Sequence, residues 1–229
     1  MNLSALEKNL GYSFNDKDLL NEALTHRSYL NENPGWKSSN NERLEFLGDA
    51  VLELAVTENL YHRYPDQQEG HLTSLRAALV NYIMMATVAR ELDLDKFMLL
   101  SQGESKDTGR ARDVILANAM EAIIGAVYLD SDYQKSKTFI DSVVMTHLDE
   151  VIKKGLYKDA KSLLQEKVQA TLKITPNYKV LEEHGPDHDR TFVVGVYFDD
   201  KLVARGNGPA KQDAEIGAAK EALKVVDSS

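Results

Sequence analysis

Two short stretches of this 229-residue chain carry acids at a spacing that could do chemistry. The first is Asn41-Glu42-Arg43-Leu44-Glu45-Phe46-Leu47-Gly48-Asp49, continuing to Glu53. On a helix advancing about 100° per residue, Glu42, Glu45, Asp49 and Glu53 fall within an arc of about 80°. Leu44, Leu47, Val51, Leu54 and Ala55 are expected on the opposite, apolar side. Taken alone, an acidic row is the solvated face of an ordinary amphipathic helix. This row, however, has no Lys or Arg three or four residues away to pair with, and like charges at that spacing repel. The second stretch is Val114-Ile115-Leu116-Ala117-Asn118-Ala119-Met120-Glu121-Ala122-Ile123-Ile124. Asn118 and Glu121 share one face of a helix that is otherwise committed to burial. If the two faces meet, several carboxylates converge, which is unfavourable unless a cation compensates. Oxygen-only donors suit Mg²⁺ or Mn²⁺ rather than zinc.

The elements that must position these residues are legible as pattern. Helices are expected over 3–10, ended by Gly11, and from Asn15 or Asp16 through Leu24. Residues 31–40 have the composition of a loop. Asn40 or Asn41 caps the central helix, which runs to about Tyr64 before Pro65. Further helices are expected over Leu72–Leu92, Arg112–Leu129 and Tyr133–Lys153, with a short helical segment between Asp93 and Leu100. Near 155–158 the pattern changes. Residues 159–172 read as a helix, and 178–182, 191–198 and 201–206 read as strands with an Asp199-Asp200 turn. A final helix is expected over 211–226. The fold class is therefore α+β in two domains, an all-α domain (1–154) and an α-β-β-β-α domain (159–229), joined by a linker at 155–158.

Composition narrows the partners. There are no cysteines, which excludes disulfides and thiolate metal sites and suits a reducing cytoplasm. The first residues lack the basic and apolar pattern of a secretory signal, and no apolar run reaches spanning length. The net charge of −9 is uneven: residues 155–229 carry 11 Lys+Arg against 12 Asp+Glu, whereas residues 1–154 carry 16 against 24. Such acidity disfavours indiscriminate polyanion binding; a local patch or a bound metal would have to make any nucleic-acid contact.

The nine-residue block Asn41–Asp49 resembles the signature stretch of the bacterial ribonuclease III family. Leu24-Thr25-His26-Arg27-Ser28-Tyr29, Glu69-Gly70 and the run Ile115–Gly125 follow the family's order. Residues 159–226 resemble a double-stranded RNA-binding domain, through Asp159–Gln169, Gly185-Pro186-Asp187-His188 and Gly206–Glu215. The resemblance implies a homodimeric endonuclease that cuts both strands of RNA duplexes, leaves 5′-phosphate and 3′-hydroxyl ends, and acts in rRNA and mRNA processing in the cytoplasm. It implies Mg²⁺, with Mn²⁺ as substitute, as the only cofactor, and neither a small-molecule cofactor nor a membrane partner. Glu45, Asp49 and Glu121 match its metal-binding residues, with Asp49 and Glu121 catalytic. Asn118 belongs to the same metal set, and Glu42 and Glu69 match acids of the surrounding valley. Phe46 matches an aromatic inserted into a cavity of the partner subunit. Ser162, Gln165, Glu166 and Gln169, at one helical face, match a minor-groove reader; His188 and Lys211 match a second groove contact and a phosphate contact.

Two departures stand out. Asn118 occupies a position where the family more often has Asp, so a catalytically silent RNA-binding dimer is the alternative reading. Lys211 is followed by Gln212 and Asp213 where further basic residues are usual, so weaker RNA binding is expected.

Overall fold

A computed structural model describes residues 2–185 and 190–227. The chain divides into two compact units between Tyr157 and Lys158. The first is helical: α1 (Leu3–Leu10), α2 (Lys17–Leu24), α3 (Arg27–Glu32), α4 (Glu42–Arg63), α5 (Glu69–Val80), α6 (Tyr82–Glu91), α7 (Arg110–Asp130), α8 (Tyr133–Val143) and α9 (Leu148–Lys154). The second is α10 (Ala160–Thr171), β1 (Asn177–His184), β2 (Thr191–Phe198), β3 (Lys201–Gly208) and α11 (Lys211–Asp227).

Local chemistry starts and stops these helices. Gly11 ends α1 in the left-handed conformation at φ 65°. The Asp16 carboxylate accepts from the Asp18 backbone N–H at 2.8 Å and caps α2. The two asparagines before α4 divide their work. The Asn40 side chain accepts from the Glu42 N–H at 3.3 Å. Asn41 is buried; its side chain donates to the Ala23 carbonyl at 3.2 Å and its backbone N–H to Thr25 at 2.9 Å. The entry to α4 is thus tied to the exit of α2, where a short bridge to Leu99 also forms.

Several expectations need correction. Leu72–Leu92 is not one helix. The chain breaks at Asn81, whose side chain accepts from the Met84 N–H at 3.0 Å to start α6 and donates to the Ala78 carbonyl at 2.9 Å to finish α5. The two helices bend by 46°. Tyr133–Lys153 breaks at Val144 into α8, a 3-10 turn (Met145–His147) and α9; the β-branched pair Val143-Val144 is a poor helix former there. Between Asp93 and Leu100 only the turn Leu94–Lys96 is helical, and residues 27–32 form α3, for which no helix was expected. The apolar stripe of α4 also turns along its length. Leu44, Val51 and Ala55 are buried as expected, but Leu54 is 56% exposed while Leu52, Val56 and Leu60 are buried. The second half of α4 faces α5 and α8, and its buried side rotates toward them.

The core of the first unit is α7, buried nearly all round from Ile115 to Val127, and crossed by α4. The crossing is unusually close. A Cβ on Gly48 would lie 1.8 Å from the Glu121 carbonyl oxygen, and one on Gly125 would lie 2.3 Å from the Leu44 carbonyl oxygen. Each glycine sits four residues after the residue whose carbonyl faces the other helix. Backbone rests on backbone, and nothing larger than hydrogen fits between.

In the second unit the strands run in order β1-β2-β3, all antiparallel, with bulges after Val180 and Val196. The Asp199-Asp200 turn joins β2 to β3, with Asp199 at φ 51°. Leu164 and Val168 of α10, Val196 of β2 and Ala218, Ala219 and Ala222 of α11 form the core. Small side chains let α11 lie so close that a Cβ on Gly206 would meet the Ala218 nitrogen at 2.0 Å.

Candidate active site

The α4–α7 crossing decides which acids meet. Glu45 and Asp49 flank Gly48 on α4, one turn apart. Glu121 contributes the carbonyl that Gly48 touches. The three carboxylates are therefore neighbours by construction, and their electrostatics agree. Burial raises the Glu121 carboxyl, and the charges of Asp49 and then Glu45 raise it further, to about 8. Glu45 is raised by burial, then by Glu42 and Asp49, while a hydrogen bond from Asn118 works the other way. Among the described residues, no basic side chain appears among the groups that shift either carboxyl. The structure thus brings together Glu45, Asp49, Asn118 and Glu121, with Glu42 one turn earlier and 3.6 Å from Arg27.

This donor set is all oxygen and carries excess negative charge that a hard divalent cation would relieve. Three charged carboxylates and one amide oxygen fit such an ion. Among the described residues no three His, Cys, Asp or Glu side chains are closed to ligand distance. Glu45 is half-buried and Asp49 exposed, so both have room to turn inward.

Glu69 is elsewhere. It accepts from the Thr73 hydroxyl at 2.9 Å and borders a cavity of about 430 Å³ with Thr57, Leu60, Tyr61, Leu72 and Arg76. Those α4 residues lie eight to twelve positions beyond Asp49, about 12–18 Å along the helix. Within one chain Glu69 does not join the cluster. Phe46 is 82% exposed, and Leu54 and Tyr61 extend an apolar strip along the same outer side of α4 toward that cavity. The cavity and the exposure of Leu54 and Tyr61 were not foreseen. The period of the helix gave no sign of either, because both depend on where α5 packs.

In the second unit Ser162, Gln165, Glu166 and Gln169 are all exposed on α10. Asp159 caps this helix through the Lys161 and Ser162 N–H groups, both at 3.0 Å. Ser162 and Gln165 border a polar cavity of about 370 Å³ together with Lys161, Tyr178 and Gln212. Lys211 opens α11 and is exposed. His188 lies outside the described residues.

Comparison with known proteins follows the same division. Residues 16–148 match the family model described as Ribonuclease-III-like, and residues 160–226 match the Double-stranded RNA binding motif. Ribonuclease 3 of Borreliella afzelii is 46% identical over 225 residues, covering 98% of this chain and 91% of that protein. Ribonuclease 3 of Dehalococcoides mccartyi is 42% identical over 229 residues, covering 100% and 97%. The solved nuclease domain of ribonuclease III from Campylobacter jejuni, in a study of flexibility in its region of dimer formation, is 46% identical with a TM-score of 0.58; it matches 63% of this chain and 97% of its own. An oxygen-lined acid cluster at a glycine crossing, followed by an RNA-binding unit and whole-length relatives, leads to one conclusion: this chain belongs to the ribonuclease III family.

Proposed function

We propose that this protein is an endoribonuclease that cuts both strands of RNA duplexes as a homodimer, with Mg²⁺ as its metal and Mn²⁺ as a substitute. The observation that carries the reading is the meeting of Glu45, Asp49, Asn118 and Glu121 at the α4–α7 crossing, in a chain that continues into an RNA-binding unit. Nothing favours the silent-binder alternative, since relatives matching the whole chain carry the enzyme's name.

Water must attack phosphorus and the ribose 3′ oxygen must leave, giving 5′-phosphate and 3′-hydroxyl ends. Divalent metal, when bound, neutralises the phosphate and activates the water. Glu45, Asp49 and Glu121 would hold it through charged oxygens and Asn118 through its amide oxygen. The glycine crossing fixes the main chain that carries them. Asp49 and Glu121 are the residues we assign to the reacting centre. Ser162, Gln165, Glu166 and Gln169, with His188, would read 2′-hydroxyls across the minor groove, and Lys211 a phosphate.

The dimer reading is supported by Phe46. A large apolar side chain 82% exposed beside an apolar strip is costly in a monomer. A twofold arrangement would seat it in the partner's cavity between Thr57, Tyr61, Leu72 and Arg76. Substrates in rRNA and mRNA processing are the cellular role we assign.

The direct test incubates the full-length protein with a long perfect RNA duplex in Mg²⁺, Mn²⁺ or EDTA. Short duplex products carrying 5′-phosphates, appearing only with metal, are expected. No cutting by the wild type in either metal, with cutting restored by Asn118→Asp, would establish the silent binder instead.

A further inference from the structure

Basic groups around the proposed RNA-reading face are already engaged. Lys211 lies 3.5 Å from Glu183 near the end of β1, and its ammonium stands 5.4 Å from the centre of the Phe192 ring. Arg190 reaches the same Glu183 carboxylate at 3.8 Å. Lys161, in the first turn of α10, is 2.5 Å from Glu215 of α11. Lys158 pairs with Glu166, itself on the α10 reading face. Lys161 borders the polar cavity that links that face to Gln212 at the start of α11. Basic residues along this surface are thus answered by carboxylates of the same unit.

On the reading that this unit binds duplex RNA, we propose that Glu183 and Glu215 are affinity- and specificity-determining residues, which compete with RNA phosphates for Lys211 and Lys161. A phosphate that takes Lys211 leaves Glu183 without its partner, and Glu183 then gathers a cation from solution. Part of the counterion release that drives polyanion binding is returned in this way. The phosphate-only share of affinity falls, while the 2′-hydroxyl contacts of α10 are untouched. Duplex RNA then stays bound at a salt concentration where a ligand offering only phosphates does not.

The test uses the full-length protein in EDTA, so that RNA is bound but not cut. Affinity for one RNA duplex and the DNA duplex of the same sequence is followed against salt. Glu183→Gln and Glu215→Gln should each tighten RNA binding about two- to five-fold, the span of an exposed ion pair. Each should steepen the slope of log affinity against log salt by up to about 0.9 per phosphate contact regained. DNA binding should become measurable at higher salt than for the wild type. Glu183→Asp and Glu215→Asp, which keep the charge, should behave as the wild type.

A general field effect is separated by a cycle: in a Lys211→Gln background, where only Arg190 still pairs with Glu183, Glu183→Gln should tighten binding less than it does in the wild type. Equal tightening in that background would overturn the proposal, as would Gln variants that melt like the wild type yet bind no tighter. The Glu183 side chain is 42% exposed, so its variant decides the matter if Glu215→Gln lowers the melting temperature. Failure of the wild type to bind duplex RNA at any salt would remove the RNA-binding reading, and this inference with it.

Discussion

Glu121 holds a proton where an ordinary carboxyl would have lost one. Burial and the charges of Asp49 and Glu45 push its carboxyl up from the ordinary 4.5 to about 8, so the native metal-free protein binds a proton that the unfolded chain has released. The stability from this group is therefore complete below about pH 4.5 and is lost as pH rises through about 8. The melting temperature of the metal-free protein should fall between about pH 5 and about pH 8, and added Mg²⁺ should reverse the fall. Below about pH 8, metal must displace that proton. Calorimetric titrations with Mn²⁺ in two buffers of different ionisation heat should then differ; identical heats would contradict the assignment. Glu121→Gln should keep RNA binding, lose cutting and flatten the pH dependence of melting. At Asn118, one charge is missing from the donor set. Asn118→Asp should lower the metal concentration needed for half-maximal cutting by about ten-fold, on the scale of one charged partner. An unchanged requirement would mean that Asn118 is not a ligand.

At the scale of elements, the crossing of α4 and α7 is where sequence and structure agree best and explain most. The acid spacing on one helix and the Asn118–Glu121 pair on the other were both readable from period and residue type. Their meeting was only an expectation, because a period says which face is apolar and not what it rests on. The glycines that join the faces were visible in the sequence without their role. Gly48→Ala, which sets a methyl against the Glu121 carbonyl, should cost about 1–3 kcal/mol in unfolding free energy. Cutting should suffer more than folding, because separating the helices spreads the carboxylates. A variant as active as the wild type would show that the helices can move apart without harm. The missed features have two causes. The turn of the α4 stripe is set by neighbouring helices, which a one-dimensional pattern does not contain. The breaks at Asn81 and Val144 left local clues that the apolar period overrode, since asparagine is a good cap and paired β-branched residues are poor helix formers.

For the whole molecule, two tests separate assembly from substrate binding. Phe46→Asp should abolish the dimer in light scattering and cutting with it, while leaving far-ultraviolet dichroism unchanged; a dimeric Phe46→Asp would move the interface off the outer side of α4. Removing residues 158–229 should leave a protein that still dimerises and still cuts, but only at low salt, because the phosphate contacts go while the acid cluster stays. A truncated protein that cuts nothing under any condition would show that the second unit does more than bind. The change of pattern near residue 155 lies close to the division between Tyr157 and Lys158. The pairing of Lys211 with Glu183 was out of reach, because its partners come from opposite ends of the sheet unit and share no local motif.

The glycine crossing has a genetic consequence. When a core side chain is replaced by a larger one, a neighbour can usually be trimmed to make room, and a second-site suppressor restores function. At Gly48 the obstacle is the main chain of residue 121, and at Gly125 it is the main chain of residue 44. A peptide carbonyl cannot be shortened by any codon change. Selection for restored cutting in a Gly48→Val strain should therefore return reversion to a small residue at position 48 itself, and compensating changes elsewhere in the two helices should be absent from the collection.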